Sequence, residues 1–162
     1  MFSMFKRKKP LSAPALSEEL WEVERETVIW CHAQIGSYLG GEPQPLPDLG
    51  LNHDVMVGSY VCGFMQGQFI VNGHLDRWAN DDSDIVSFGF TLLALPCLTS
   101  VLGTNDRALP LLNILPQIGP GKFATGVRQM DEMGGWDGMP HAKGEPKQKG
   151  GLLRFYLENN VE

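Results

Sequence analysis

The sequence predicts a mainly α protein, a compact bundle of about 4–5 helices around a central apolar pair. Two adjacent segments, residues 55–75 and 85–103, carry no Asp, Glu, Lys or Arg. Apolar residues elsewhere recur at helical spacing, with the final LLRFYLEN open to either period. The composition, 43% hydrophobic and 20% charged in 162 residues, suits one domain with a substantial core.

The first element is a basic, amphiphilic arm over residues 1–16, MFSMFKRKKPLSAPAL, expected to be flexible ahead of a single helical domain at 17–162. Phe2 and Phe5 beside Lys6 and Arg7 suit contact with a protein partner or an anionic membrane surface. The basic run lacks a following apolar stretch, because Pro10, Pro14, Glu18 and Glu19 intervene, so it does not read as a secretory signal.

A helix is expected from Ser17, a good N-cap with Glu18 and Glu19 in the first turn. Leu20, Val23, Thr27, Trp30/Cys31 and Ile35 define its apolar face, and Gly40-Gly41 supplies its stop. The proline-rich stretch after it is a stiff connector.

The next helix should run from Asp54 to about Ala79, forming with 84–103 the central pair (55–79, 84–103). Val57, Val61, Phe64, Gln68, Val71, Leu75 and Trp78 alternate steps of four and three, the pattern of a packing seam. Beside them Gly63 and Gly67 form a small-xxx-small pair at which another backbone can approach closely, a helix-interface signature. An acidic turn follows, with Ser83 as cap of an apolar helix that contains Pro96 and should kink there.

After Gly103 a short proline-limited helix is expected, then a marginal one closed by Gly134-Gly135. Residues 134–151, GGWDGMPHAKGEPKQKGG, hold six glycines and two prolines and predict a long loop. The final LLRFYLEN fits either a strand or a helical turn.

The charge-free segments also pose the question of a membrane hairpin. Residues 85–103 average roughly 1.9 in hydropathy, but residues 55–75 reach only about 0.9, because Gln66, Gln68, Asn72 and His74 interrupt them. Those polar groups, the proline and a charged first helix favour a soluble core over a membrane-associated helical hairpin. Cys31, Cys62 and Cys97, an odd number without CxxC spacing, read as buried thiols of a cytoplasmic protein.

Formal net charge is −6, yet four of the thirteen basic residues lie in the first ten positions. The rest holds nine basic against nineteen acidic residues, −10, which disfavours a nucleic-acid partner.

No reactive motif stands in the chain. His32 and His74 lack a ligand type at i±3 or i±4, and His74 and Asp76 diverge on a helix. Asp81, Asp82 and Asp84 lack the glycine and closing glutamate of a calcium loop. Ser59 lacks the nucleophile elbow, and Cys31 and His32, being adjacent, point about 100° apart. GPGKF at 119–123 lacks the first glycine and the Ser/Thr of a phosphate loop.

No metal or cofactor is therefore expected. The candidates for partner binding are Trp136, Asp137, His141 and Lys143 in the expected loop, with Phe2, Phe5, Lys6 and Arg7 in the arm. The leading expectation is a non-enzymatic interaction or assembly subunit with a protein partner or a homo-oligomeric state. A small enzyme whose site gathers His32, His74, Asp76 and the 134–151 loop is the alternative.

Overall fold

The computed structural model describes residues 13–71, 83–117, 125–139 and 151–161. Six helices account for nearly all of them, with no strand among the described residues. They are α1 (Ala13–Tyr38), α2 (Leu51–Val71), α3 (Ser83–Leu102), α4 (Asn105–Gln117), α5 (Thr125–Gly138) and α6 (Gly151–Asn160). The protein is a helical bundle.

α1 begins earlier than its Ser17 cap predicts, so the last four residues of the expected arm are helical. Its inner face is the predicted one: Val23, Thr27, Cys31 and Ile35 are buried. Thr27 returns its hydroxyl to Val23 O at 2.6 Å, which satisfies a polar group in an apolar stripe. The helix ends in a Schellman arrangement, with Gly41 N donating to Gly36 O and Gly40 N to Ser37 O. Gly40, at φ +74°, takes the left-handed position that a Cβ would disfavour.

The connector folds back across the end of α3. Leu46 is buried and its N–H donates to Val101 O at 2.7 Å. Arg107 of α4 fixes this corner. Its guanidinium donates to both carboxylate oxygens of Asp54, at 2.7 and 3.1 Å, and to the carbonyls of Leu46, Pro47 and Leu102. All five N–H groups of the side chain are used, which is what a largely buried arginine requires.

α2 starts at Leu51, close to prediction, and Val57, Val61, Phe64 and Gln68 are buried as the seam pattern implies. Val71 ends the described part of this helix; the predicted continuation to Ala79 and the acidic turn lie outside the described residues. Pro96 sits inside α3 on an exposed position, while Leu93, Ala94, Cys97, Leu98, Val101 and Leu102 enter the core.

The expected central pair needs one correction: the tightest neighbour of α2 is α5, and among the described residues it meets α3 only lightly. The reason is the small-residue face of α2, which admits a helix backbone more closely than the bulky flank of α3 permits.

The C-terminal part shortens the expected loop and settles one open choice. Residues 134–138 belong to α5, so the predicted 134–151 loop loses its first five positions, and Gly151 opens α6. LLRFYLEN is helical, with Leu153 and Leu157, four apart, buried against the core. Among the described residues no helix is long and apolar enough to cross a membrane.

Candidate functional site

The sequence-predicted positions divide into three groups. Phe2, Phe5, Lys6, Arg7, His74, Asp76, His141 and Lys143 lie outside the described residues. Gly63, Gly67 and Asp137 are buried, and Trp136 is on the surface.

Gly63 and Gly67 face α5. A Cβ built on Gly63 would lie 2.1 Å from Asp131 O, and one on Gly67 would lie 2.6 Å from Gly135 O. The partner helix answers with its own glycines: Cβ atoms on Gly134 and Gly138 would meet Tyr60 O at 2.0 Å and Phe64 O at 2.3 Å. Two GxxxG pairs thus interlock backbone to backbone, and the surface that the sequence offers for a neighbouring helix is filled from within the chain. Side-chain bonds pin both ends of the contact, from Ser59 Oγ to Val127 O at 2.8 Å and from Gln68 Nε2 to Gly138 O at 2.7 Å. These pairings run in the same sense along both helices, so α2 and α5 lie parallel.

Asp137 sits where four helices meet. Its Oδ2 accepts the hydroxyl of the fully buried Tyr60 at 2.5 Å and the first-turn N–H of Leu152 at 2.8 Å. The Tyr60 oxygen in turn accepts from Trp30 Nε1 and Gln34 Nε2, both at 2.9 Å. Gln34 Oε1 accepts the N–H of Arg154, so side chains from α5 and α1 together cap α6.

Gly151 is required at this cap twice over. It has φ +72°, and a Cβ there would lie 2.0 Å from Gln34 Oε1. Trp30 stacks on Phe64, their ring centroids 6.1 Å apart, closing the apolar side of the junction.

The electrostatics of the junction favour a held proton. Burial, with Cys31 and the Asp137 charge nearby, drives the Tyr60 hydroxyl well above the ordinary tyrosine range, so it stays a donor. Burial pushes the thiols of Cys31 and Cys97 up as well, which favours their protonated form. This junction is a structural lock: Tyr60, Gln34 and Asp137 are buried, and their bonds tie α1, α2, α5 and α6 together.

His32 does not join it. Its Nε2 lies 2.7 Å from Ser100 O, which requires a proton on that nitrogen and ties α1 to α3. His53 Nδ1 lies 2.9 Å from the Tyr156 hydroxyl and ties α2 to α6. Among the described residues no group of three or more His, Cys, Asp or Glu side chains is arranged to hold a metal ion.

Surface chemistry is the remaining candidate. Trp21 and Ile29 of α1, Leu51 of α2, Trp136 of α5 and Phe155 of α6 are each more than half exposed. Sequence reasoning singled out Trp136 from its glycine-rich surroundings but missed the rest. Trp21, Ile29 and Phe155 fall outside the buried stripes of their helices, and that offset was the available signal. No family model, curated protein or solved structure matches this chain.

Proposed function

We propose that this chain is a non-enzymatic helical interaction or assembly subunit that works through protein–protein contacts. The observation that carries the reading is the set of large apolar side chains on rigid helices. Two tryptophans and a phenylalanine, Trp21, Trp136 and Phe155, are 53–59% exposed. Single exposed aliphatics are ordinary, but exposed aromatics on well-packed helices are the residue types that anchor interfaces.

Among the described residues, the buried polar groups of the bundle support the same reading, because they bond to one another. Asp137, Tyr60, Gln34, Asp54 and Arg107 all hold helices to one another. An acidic body and three free cysteines fit a cytoplasmic protein whose partners are proteins and not nucleic acid.

The test is cross-linking followed by light scattering on the wild type and on a Trp21→Ala/Trp136→Ala/Phe155→Ala variant, with circular dichroism to establish folding. The expected result is a stoichiometric complex, with itself or a partner, that the folded triple variant fails to enter. A variant that enters every complex the wild type enters would overturn the reading.

A further inference from the structure

Among the described residues, α1 packs through one side, and the opposite side is exposed. On its open side Trp21, Arg25, Ile29 and Ala33 succeed one another at steps of four, so they form one row along the helix. Trp21 and Ile29, about 12 Å apart along the axis, are 58% and 57% exposed. The Arg25 guanidinium lies 5.2 Å above the Trp21 ring centroid and 3.6 Å from Glu26, so its charge is already engaged. A second row, Glu18, Glu22 and Glu26, runs beside the first at the same spacing and is also exposed.

The charges select the occupant. From Glu18 to Ile29 the helix carries five glutamates and one arginine, a formal −4. A second copy packed through this same face would bring the same carboxylates against these, and an anionic membrane or a nucleic acid would be repelled in the same way. We propose that this face of α1 is a docking surface for a basic amphipathic helix of a partner protein. Apolar side chains of that helix seat on Trp21 and Ile29, and its lysines or arginines pair with Glu18, Glu22 and Glu26. The assignment rests on the interaction reading above and names the surface and the chemistry of its partner.

The probe is a labelled, end-capped Leu/Lys peptide about five helical turns long, with all leucines on one face. A scrambled peptide of equal charge, lacking that face, is the control. Anisotropy titrations against the full chain should show saturable one-to-one binding, with the scrambled peptide at least about tenfold weaker. Trp21→Ala/Ile29→Ala and Glu18→Gln/Glu22→Gln/Glu26→Gln should each weaken binding about tenfold or more. Leu109→Ala, at an exposed position on α4, should leave it unchanged, and about 300 mM salt should weaken it relative to about 50 mM.

Equal binding of the scrambled peptide, or full binding by folded Trp21→Ala/Ile29→Ala, overturns the proposal. So does a concentration-dependent dimer of the wild type that Trp21→Ala/Ile29→Ala abolishes, since a second copy would then be the occupant. If the probe ignores α1 while the triple variant still loses its complexes, only the α1 assignment falls. If those complexes survive too, the interaction reading falls with it.

Discussion

α2 is held in two unlike ways along its length. Against α5 it is fixed by the absence of side chains, with Gly63 and Gly67 set into Gly134, Gly135 and Gly138 so that backbone lies on backbone. Elsewhere it is fixed by polar side chains, Asp54 to Arg107 at its start and, beside the glycines, Tyr60 to Trp30 and Gln34 of α1 and to Asp137 of α5. The first kind of contact has no room to yield, because every close atom belongs to a main chain. The second has directional partners that relax, rotate or take up water when one is removed. The two should therefore fail differently, one by steric exclusion and the other by leaving buried groups unsatisfied.

The steric side should give the largest effect. Gly134→Ala places a methyl 2.0 Å from Tyr60 O and 2.9 Å from Phe64 N, so α2 and α5 must separate. The expected loss is about 3 kcal/mol or more in denaturant unfolding, with Gly63→Ala alike. Gly135→Ala is the internal control. Its Cβ would meet only Gly63 O, at 3.6 Å, an ordinary contact, and alanine is the better helix former. It should be neutral or more stable by up to about 1 kcal/mol. Similar losses at 134 and 135 would mean that α5 tolerates no side chain there for some reason other than contact with α2.

Among the polar contacts, Arg107→Met should cost most. It strands the Asp54 carboxylate, whose side chain is 5% exposed, and frees the carbonyls of Leu46, Pro47 and Leu102. Breaking one partner of such a pair costs about 3 kcal/mol, and the double variant Arg107→Met/Asp54→Leu should recover part of it. Tyr60→Phe is milder, about 2 kcal/mol, since it leaves two N–H donors and one carboxylate lone pair unmatched but keeps the ring packed. Hydrogen exchange sharpens the contrast. The Leu152 and Arg154 amides, capped through this junction, should exchange faster in Tyr60→Phe than those of α2, whereas Gly134→Ala should loosen α2 and α5 together.

How much of this was legible in the sequence follows the same division. The GxxxG of α2 announced a close helix contact, because glycines four apart are a local pattern that needs no knowledge of the partner. Its complement, Gly134 and Gly138, has the same spacing, but the glycine density of GGWDG pointed to a loop. The physical miss was to weigh the intrinsic helix cost of glycine without the tertiary contact that offsets it. Buried faces were legible wherever periodicity set them, as with Val23, Thr27, Cys31 and Ile35. The Tyr60–Asp137 junction was not, since its bonded side chains are separated by 26 to 77 positions and no spacing rule links them. Asp137 was singled out as a loop residue available to a partner, and it is instead buried at 5% exposure in a lock between helices.

The smallest effect tests whether the seam tolerates charge at its edge. Asp131 presents its backbone carbonyl to Gly63, and its carboxyl is raised above the usual value, first by burial and second by the neighbouring Glu132 charge. A carboxyl raised in the folded state binds its proton more tightly there than in the unfolded chain. Its ionisation therefore costs stability, and that cost appears as pH rises from the unfolded value of 3.8 through the higher folded one. Above that window the cost is constant; below it the cost is absent. Asp131→Asn, which removes the charge and keeps the shape, should stabilise the protein at neutral pH by roughly a few tenths of a kcal/mol, the modest size reflecting partial exposure. Unfolding midpoints of variant and wild type should converge as pH falls toward about 3. A gain that persists unchanged at that pH would mean the amide acts through a new hydrogen bond, and the glycine seam would then carry no electrostatic burden at its edge.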